Sequence, residues 1–263
     1  MLFKDQINYK FELASVPKRI ISLVPSQTEL LHDLGLKNEV VGITKFCIHP
    51  KLWSNSKEKI GGTKNLNFSK IKNLQPDLII ANKEENIKEQ IENLQKLYPV
   101  YTSDIPNLKQ SLKMIKSIGE LTDTVANSLI IIDKIKSEFD RLKTLENQNH
   151  SVLYLIWREP YMSVNQNTFI NDMMNRCGLR NVIFAGKAYP IVTLIEISAL
   201  KPDFIFLSSE PYPFKEKHIK ELQKSCPTSK ILLVNGEYFS WYGSRLKQAV
   251  NYFIGLMNKI SYF

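Results

Sequence analysis

The chain of 263 residues carries 35 Lys and Arg against 26 Asp and Glu, a formal net charge of +9, and is 43% hydrophobic and 23% charged. This composition excludes wholesale disorder, and the length suffices for one large domain or two small ones with a real core. Three cysteines make no disulfide framework for a chain of this size, and no apolar run reaches the roughly 18 residues of a membrane span. The opening MLFKDQINYKFELASVPKR has neither an apolar h-region nor a small-residue cleavage site. As it stands the chain is therefore expected in the cytoplasm, and an upstream start would make it periplasmic or lipid-anchored.

The charge is not concentrated. Residues 1–110 hold 16 basic and 12 acidic side chains, residues 111–150 six of each, and residues 151–263 13 against 8, giving +4, 0 and +5. Without a basic block or a basic-aromatic stripe, a lysine-rich solvated surface is expected and no nucleic-acid partner.

In chain order, RIISLV (19–24), EVVGIT (39–44), DLIIA (77–81), PVYTS (99–103), VLYLIW (152–157), FIFLS (204–208) and KILLVN (230–235) read as short buried strands. Helical periods lie between them at 26–35, 84–98, 168–178 and 213–226. Buried strands alternating with helices predict an α/β fold with parallel sheets. The order is also repeated. LQPDLIIA at 74–81 returns as LKPDFIFL at 200–207, and GLKN at 35–38 as GLRN at 178–181. Each echo is read as a helix passing through a glycine cap into the next strand. The expectation is an internal duplication: an N-terminal lobe over 1–106, a connecting segment over 107–146 and a C-terminal lobe over 147–263. The connector has no Pro and a single Gly, Gly119, and its apolar residues Leu121, Val125, Leu129, Ile132, Ile135, Phe139 and Leu142 keep a helical spacing. A helix from Asp123 to Leu145 would be about 33 Å long, a stiff bridge.

Ligands of parallel α/β sheets sit beyond the carboxyl ends of the strands. The segments leaving those ends are Pro25-Ser26-Gln27, Lys45 to Pro50, Asn82-Lys83-Glu84, Trp157 to Tyr161, Ser209 to Tyr212 and Phe239 to Tyr242. They concentrate aromatic rings, which suit a large planar or macrocyclic guest. Arg158 and Lys45 are placed to meet carboxylate or amide edges, and Ser26 and Gln27 open a helix whose free N–H groups accept an anion. Trp157 and Trp241 are ring candidates by position.

The ordered set RIISLVPSQTELLHDLGLKNEVVGIT, FSKIKNLQPDLIIA, NTFINDMMNRCGLRNVIF, ISALKPDFIFL and NGEYFSWYGSRL resembles the cobalamin and iron-chelate receptors of bacterial ABC importers, the helical-backbone class of solute-binding proteins. The resemblance runs from about Lys18 to the C-terminus. It implies two Rossmann-like lobes joined by one long rigid helix, a ligand held in the cleft between them, and no chemistry. Phe46 falls where cobalamin receptors place an aromatic after the second strand, and Tyr189 where they place the aromatic of the second lobe.

The expected function is thus non-catalytic binding of a large metal chelate, a corrinoid first and haem or a ferric siderophore next. The alternative is a chelatase-like enzyme using His49 with Glu210 or Glu237. No intrinsic cofactor is expected; cobalamin or another chelate enters as ligand, and the protein is expected to be a monomer. Cys47-x-His49 places two metal donors in one loop, with His49 the candidate to reach a chelated metal, while His32, His150 and His218 are expected to face solvent. The family docks onto its permease through a glutamate on each lobe. At those positions this chain has Ser69 and Ile195, so permease docking by that pair is not expected.

Overall fold

Most of the apolar runs, too short for a membrane but long enough for a strand, are buried here on both faces, as in parallel sheets covered by helices. The computed structural model describes residues 1–143 and 149–261. The expected connector end at Leu145 and Glu146, and the lobe start at 147, lie outside the described residues. The chain divides into two compact units: Met1–Ile105, Lys109–Ile135 and Tyr242–Arg245 form one, and Pro106–Leu108, Lys136–Trp241 and Leu246–Phe263 the other.

The first unit opens with a hairpin, β1 (Leu2–Lys4) against β2 (Lys10–Glu12). Asp5 ties it down, accepting from the Tyr9 and Thr102 amides at 2.8 and 3.1 Å. Then follow β3 (Ile20–Ser22), α1 (Pro25–Asp33), β4 (Val40–Ile43), α2 (Lys51–Ser56), β5 (Glu58–Lys59), α3 (Phe68–Leu74), β6 (Leu78–Asn82), α4 (Lys88–Gln95) and β7 (Val100–Ser103). The sheet has the order β5-β4-β3-β6-β7 and is parallel throughout. Every residue of β3 and β6 is buried. At about 1.5–3 kcal/mol for each Ile or Leu removed from water, these central strands carry much of the unit's stability.

Two helices follow, α5 (Leu108–Leu121) and α6 (Val125–Leu142). The continuous period in the sequence is interrupted at Thr122–Thr124, where Asp123 takes a positive φ of 56° and the Thr124 amide turns back to Gly119 O at 2.8 Å. The single glycine of the segment is required there. A Cβ at Gly119 would lie 2.4 Å from Ser128 Oγ, so its absence lets α6 pack against α5. With 18 residues, α6 is about 27 Å long, shorter than the periodicity alone suggested. Its first residues fall in the first unit and its last, from Lys136, in the second.

The second unit contains β8 (Ser151–Trp157), β9 (Met162–Ser163), α7 (Phe169–Arg176), β10 (Arg180–Asn181), α8 (Leu194–Leu200), β11 (Phe204–Ser208), α9 (Glu216–Ser225), β12 (Lys230–Val234), α10 (Gly236–Ser240) and α11 (Leu246–Ile260). Its parallel order is β10-β8-β11-β12, with β9 antiparallel on β8. Leu153, Leu155, Ile205 and Leu207 centre its core.

The glycine caps hold at two places and fail at two. Gly35 (φ +94°) and Gly178 (φ +71°) follow α1 and α7 in the left-handed region that glycine enters freely. The LxPD helices α3 and α8 end instead on Gln75 (φ 45°) and Lys201 (φ 42°), both left-handed without being glycine. Among the described residues no helix is long and apolar enough to cross a membrane.

Candidate ligand-binding site

In each sheet the strand order reverses beside the first strand. Chain growth turns outward from β3 to β4 and the other way from β6 to β7; in the second unit it diverges likewise from β8 and β11. The loops at such a switch point separate at the carboxyl ends of the strands and leave a crevice for a ligand. Those loops carry most of the candidate residues.

In the first unit the β3 end leads into α1. Val24 caps it without a side-chain bond, Pro25 begins the helix, and Ser26 and Gln27 follow, both buried. Gln27 Nε2 donates to Ser103 Oγ at the end of β7, and Gln27 Oε1 has no hydrogen-bonding partner. Asn82, closing β6, donates to the same Ser103 Oγ at 3.0 Å and accepts the Glu84 and Glu85 amides at 2.8 and 3.0 Å. Gln27 and Asn82 thus converge on Ser103 and tie the start of α1 and the end of β6 to the end of β7.

The loop after β4 is anchored by its cysteine. The Cys47 thiol is fully buried, 3.1 Å from Thr28 Oγ1 and 3.2 Å from Thr44 Oγ1, and burial pushes its pKa up. His49 is half-buried, and Phe46 is 51% exposed with Lys45 Nζ 5.2 Å from its ring centre. On the same side Arg245 grips Glu29 with two bonds, Nε to Oε2 at 2.9 Å and Nη2 to Oε1 at 2.8 Å. Burial raises the Glu29 pKa even so, against the opposing charges of Arg245 and His49. Among the described residues no group of three or more His, Cys, Asp or Glu is placed to hold a metal ion.

In the second unit Trp157 ends β8 with its ring 40% exposed and its edge against Tyr212, centres 5.8 Å apart. Arg158 is paired with Glu159 and, at 3.0 Å, with Glu221. With Tyr161 and Leu194 these residues line an open pocket of about 350 Å³. Trp241 is buried, and its Nε1 donates to Glu210 Oε1 at 2.8 Å, an oxygen that Ser240 Oγ also reaches at 2.5 Å. Its indole therefore ties the end of α10 to the β11–α9 loop. Tyr189 is half-buried on a loop held to the strand after β8 by Ser163 N to Pro190 O and Asn165 N to Ala188 O, both 2.9 Å. Trp157 and Trp241 are thus tied to one loop, through Tyr212 and Glu210.

One histidine expected at the surface is buried. His218 accepts the Lys215 amide at 2.9 Å on Nδ1 and packs against Tyr212 and Phe214. Burial, then the neighbouring Arg158, lowers its pKa. An apolar neighbour at Ile219 and a helical period that places 218 beside 222 on one face were the available signal. The two docking positions are equivalent: Ser69 and Ile195 are each the second residue of their helices, α3 and α8, and Ile195 is 83% exposed.

Similarity to known proteins agrees with this fold. A "Vitamin B12-binding protein" of Vibrio parahaemolyticus is 26% identical over 196 residues, covering 73% of this chain and 70% of its own. A Bacillus subtilis protein described as an uncharacterised ABC transporter substrate-binding lipoprotein is 27% identical over 212 residues, covering 76% of this chain and 67% of its own. Among solved structures, a periplasmic haem-binding protein of Roseiflexus superposes with a TM-score of 0.80 at 19% identity, over 92% of this chain and 98% of that one. That last likeness establishes the fold, two α/β sheets with their helices. The sequence pattern of the periplasmic binding protein family matches residues 20–228. The chain belongs to the periplasmic binding protein family, a family of non-catalytic solute-binding proteins.

Proposed function

We propose that this protein binds a large metal chelate with residues at the carboxyl ends of its strands, as a receptor or carrier related to ABC import. A corrinoid is the first choice of guest, with haem or a ferric siderophore next. The observation that carries the reading is the pair of rings left open at strand ends, Phe46 in one unit and Trp157 in the other. A phenyl or indole held half in water gains most by stacking on a flat apolar face. Tyr189 adds a third ring, Arg158 and Lys45 polar contacts at the guest's edge, and His49 a donor for its metal. Ser26 contributes the open first turn of α1, whereas Gln27 and Trp241 hold the loops in register.

The B12-binding relative supports the corrinoid, and the ABC lipoprotein relative supports a permease as the receiving partner. Ser69 and Ile195 cannot make an ionic contact, so hand-over to a permease would use another feature of those helix ends. The chelatase alternative is not carried further, because the family binds without catalysis.

Absorbance titration with cyanocobalamin, haemin and a ferric siderophore, each at micromolar concentration, tests the reading. A spectral shift together with a raised melting temperature for at least one is expected. No shift with any of the three overturns it.

A further inference from the structure

Two adjacent glycines follow β5, and they are glycine for different reasons. Gly61 has a φ of +102°, and a Cβ there would lie 2.3 Å from Asn65 O, so the turn itself demands it. Gly62 has no left-handed backbone. A side chain there would sit tightly: a Cβ would lie 3.1 Å from Phe46 Cε2 and 3.4 Å from Lys45 Cε. The edge of the Phe46 ring rests on bare backbone, while half of that residue stays open to solvent.

The backbone around the ring is also fixed on both sides. Lys45 N donates to Gly61 O at 2.8 Å, and Cys47 is held by Thr28 and Thr44. With the main chain on either side of Phe46 held, a methyl group at 62 is met by displacing the ring by a few tenths of an ångström. A side chain packed on one edge and open elsewhere, on a backbone tied at either end, is preorganised for a contact, which lowers the ordering cost of that contact.

We propose that Gly62 is a positioning residue for ligand binding: its bare backbone is the seat that sets the Phe46 ring against the flat face of the chelate. This inference rests on the chelate-binding reading above. It extends that reading to a residue that touches no guest and whose importance no aromatic or charged side chain announces.

The test is a double-mutant cycle of Gly62→Ala and Phe46→Ala, with the Kd for cyanocobalamin and haemin measured by absorbance and the melting temperature recorded alongside. Gly62→Ala is expected to weaken binding about fivefold or more when Phe46 is present and less than about twofold when it is Ala. An unchanged Kd for Gly62→Ala, or an equal loss in both backgrounds, overturns the inference while leaving the chelate reading intact. Failure of the wild-type protein to bind either probe overturns both. Should Gly62→Ala alone fail to fold, a folded double variant supports the ring as the obstacle, and an unfolded one overturns it.

Discussion

The two units repeat one scaffold and differ where a guest would be met. Helices α3 and α8 match position by position. Asn67 and Thr193 cap them, accepting the Lys70 and Glu196 amides at 3.0 and 3.2 Å. Gln75 and Lys201 end them left-handed, and Pro-Asp follows in both. The aspartates then hold the beginning of the central strand. Asp77 accepts from Lys18 N and Arg19 N at 2.7 and 2.8 Å, and Asp203 from Ser151 N and Ser151 Oγ, both at 2.7 Å. Beyond the strand ends the likeness stops. β4 runs four residues into the Phe46 loop, whereas β10 has two residues, and β8 carries the antiparallel β9. Residues that satisfy the backbone have been kept in both copies; residues that face outward at the carboxyl ends have diverged. The two units thus share what holds the sheet and differ in the residues at the carboxyl ends of the strands.

The sharpest contrast lies between the two tryptophans of the second unit. Trp241→Ala removes a buried ring together with a hydrogen bond to Glu210 and is expected to cost about 3–5 kcal/mol in stability. Trp157→Ala removes a ring left 40% exposed; it should cost less stability than Trp241→Ala, while chelate affinity falls about tenfold, or about 1.4 kcal/mol. Equal losses of stability in both variants would erase the distinction between loop lock and ligand platform.

The Pro-Asp repeat can be broken in the same way. Asp203→Ala leaves the buried Ser151 amide unpaired and should cost about 2–3 kcal/mol, whereas Asp77→Ala frees amides near solvent and should cost about 1 kcal/mol. The Ser151 hydroxyl and amide hold the Asp203 carboxyl below its ordinary value. A depressed carboxylate adds stability above its unfolded pKa of 3.8, and that stability is lost as the pH falls through the folded value. Urea midpoints measured down to pH 3 should therefore show a shallower acid limb in Asp203→Asn than in the wild type.

Much of this was legible beforehand because burial leaves its mark on composition. All seven strands read from continuous apolar runs are present, and the LxPD echo identified the repeat. What escaped was set by contacts distant in sequence. The β1–β2 hairpin depends on Asp5 reaching Thr102, and β9 and β10 have two residues each, too few for a period. The helical break at Asp123 has no Pro to announce it. α11 has a legible apolar period through Leu246, Val250, Phe253, Met257 and Ile260, but lies beyond the last strand, where the strand-helix alternation gave no reason to look. In the candidate site, Trp157 could be named because a ring at a strand end is visible in a sequence, and Phe46 because the resemblance to cobalamin receptors places an aromatic there. That Gln27 and Trp241 would be buried, and that Gly62 would support Phe46, depends on which loop folds over which.

The smallest expected effect concerns the left-handed caps. A side chain in that region costs about 1–2 kcal/mol, and glycine recovers this less the extra freedom it brings to the unfolded chain, about 0.5–1 kcal/mol. Lys201→Gly and Gln75→Gly should therefore each raise stability by about 0.5–1 kcal/mol, measured by chemical denaturation. The reverse change at Gly178, with φ +71°, should lower it by a similar amount on substitution to Ala. If the duplication preserved the backbone and only the backbone, the first two gains agree. A gain at Lys201 without one at Gln75 would mean that Gln75 makes a compensating contact of its own, so that divergence between the units extends into the scaffold as well as the ligand face.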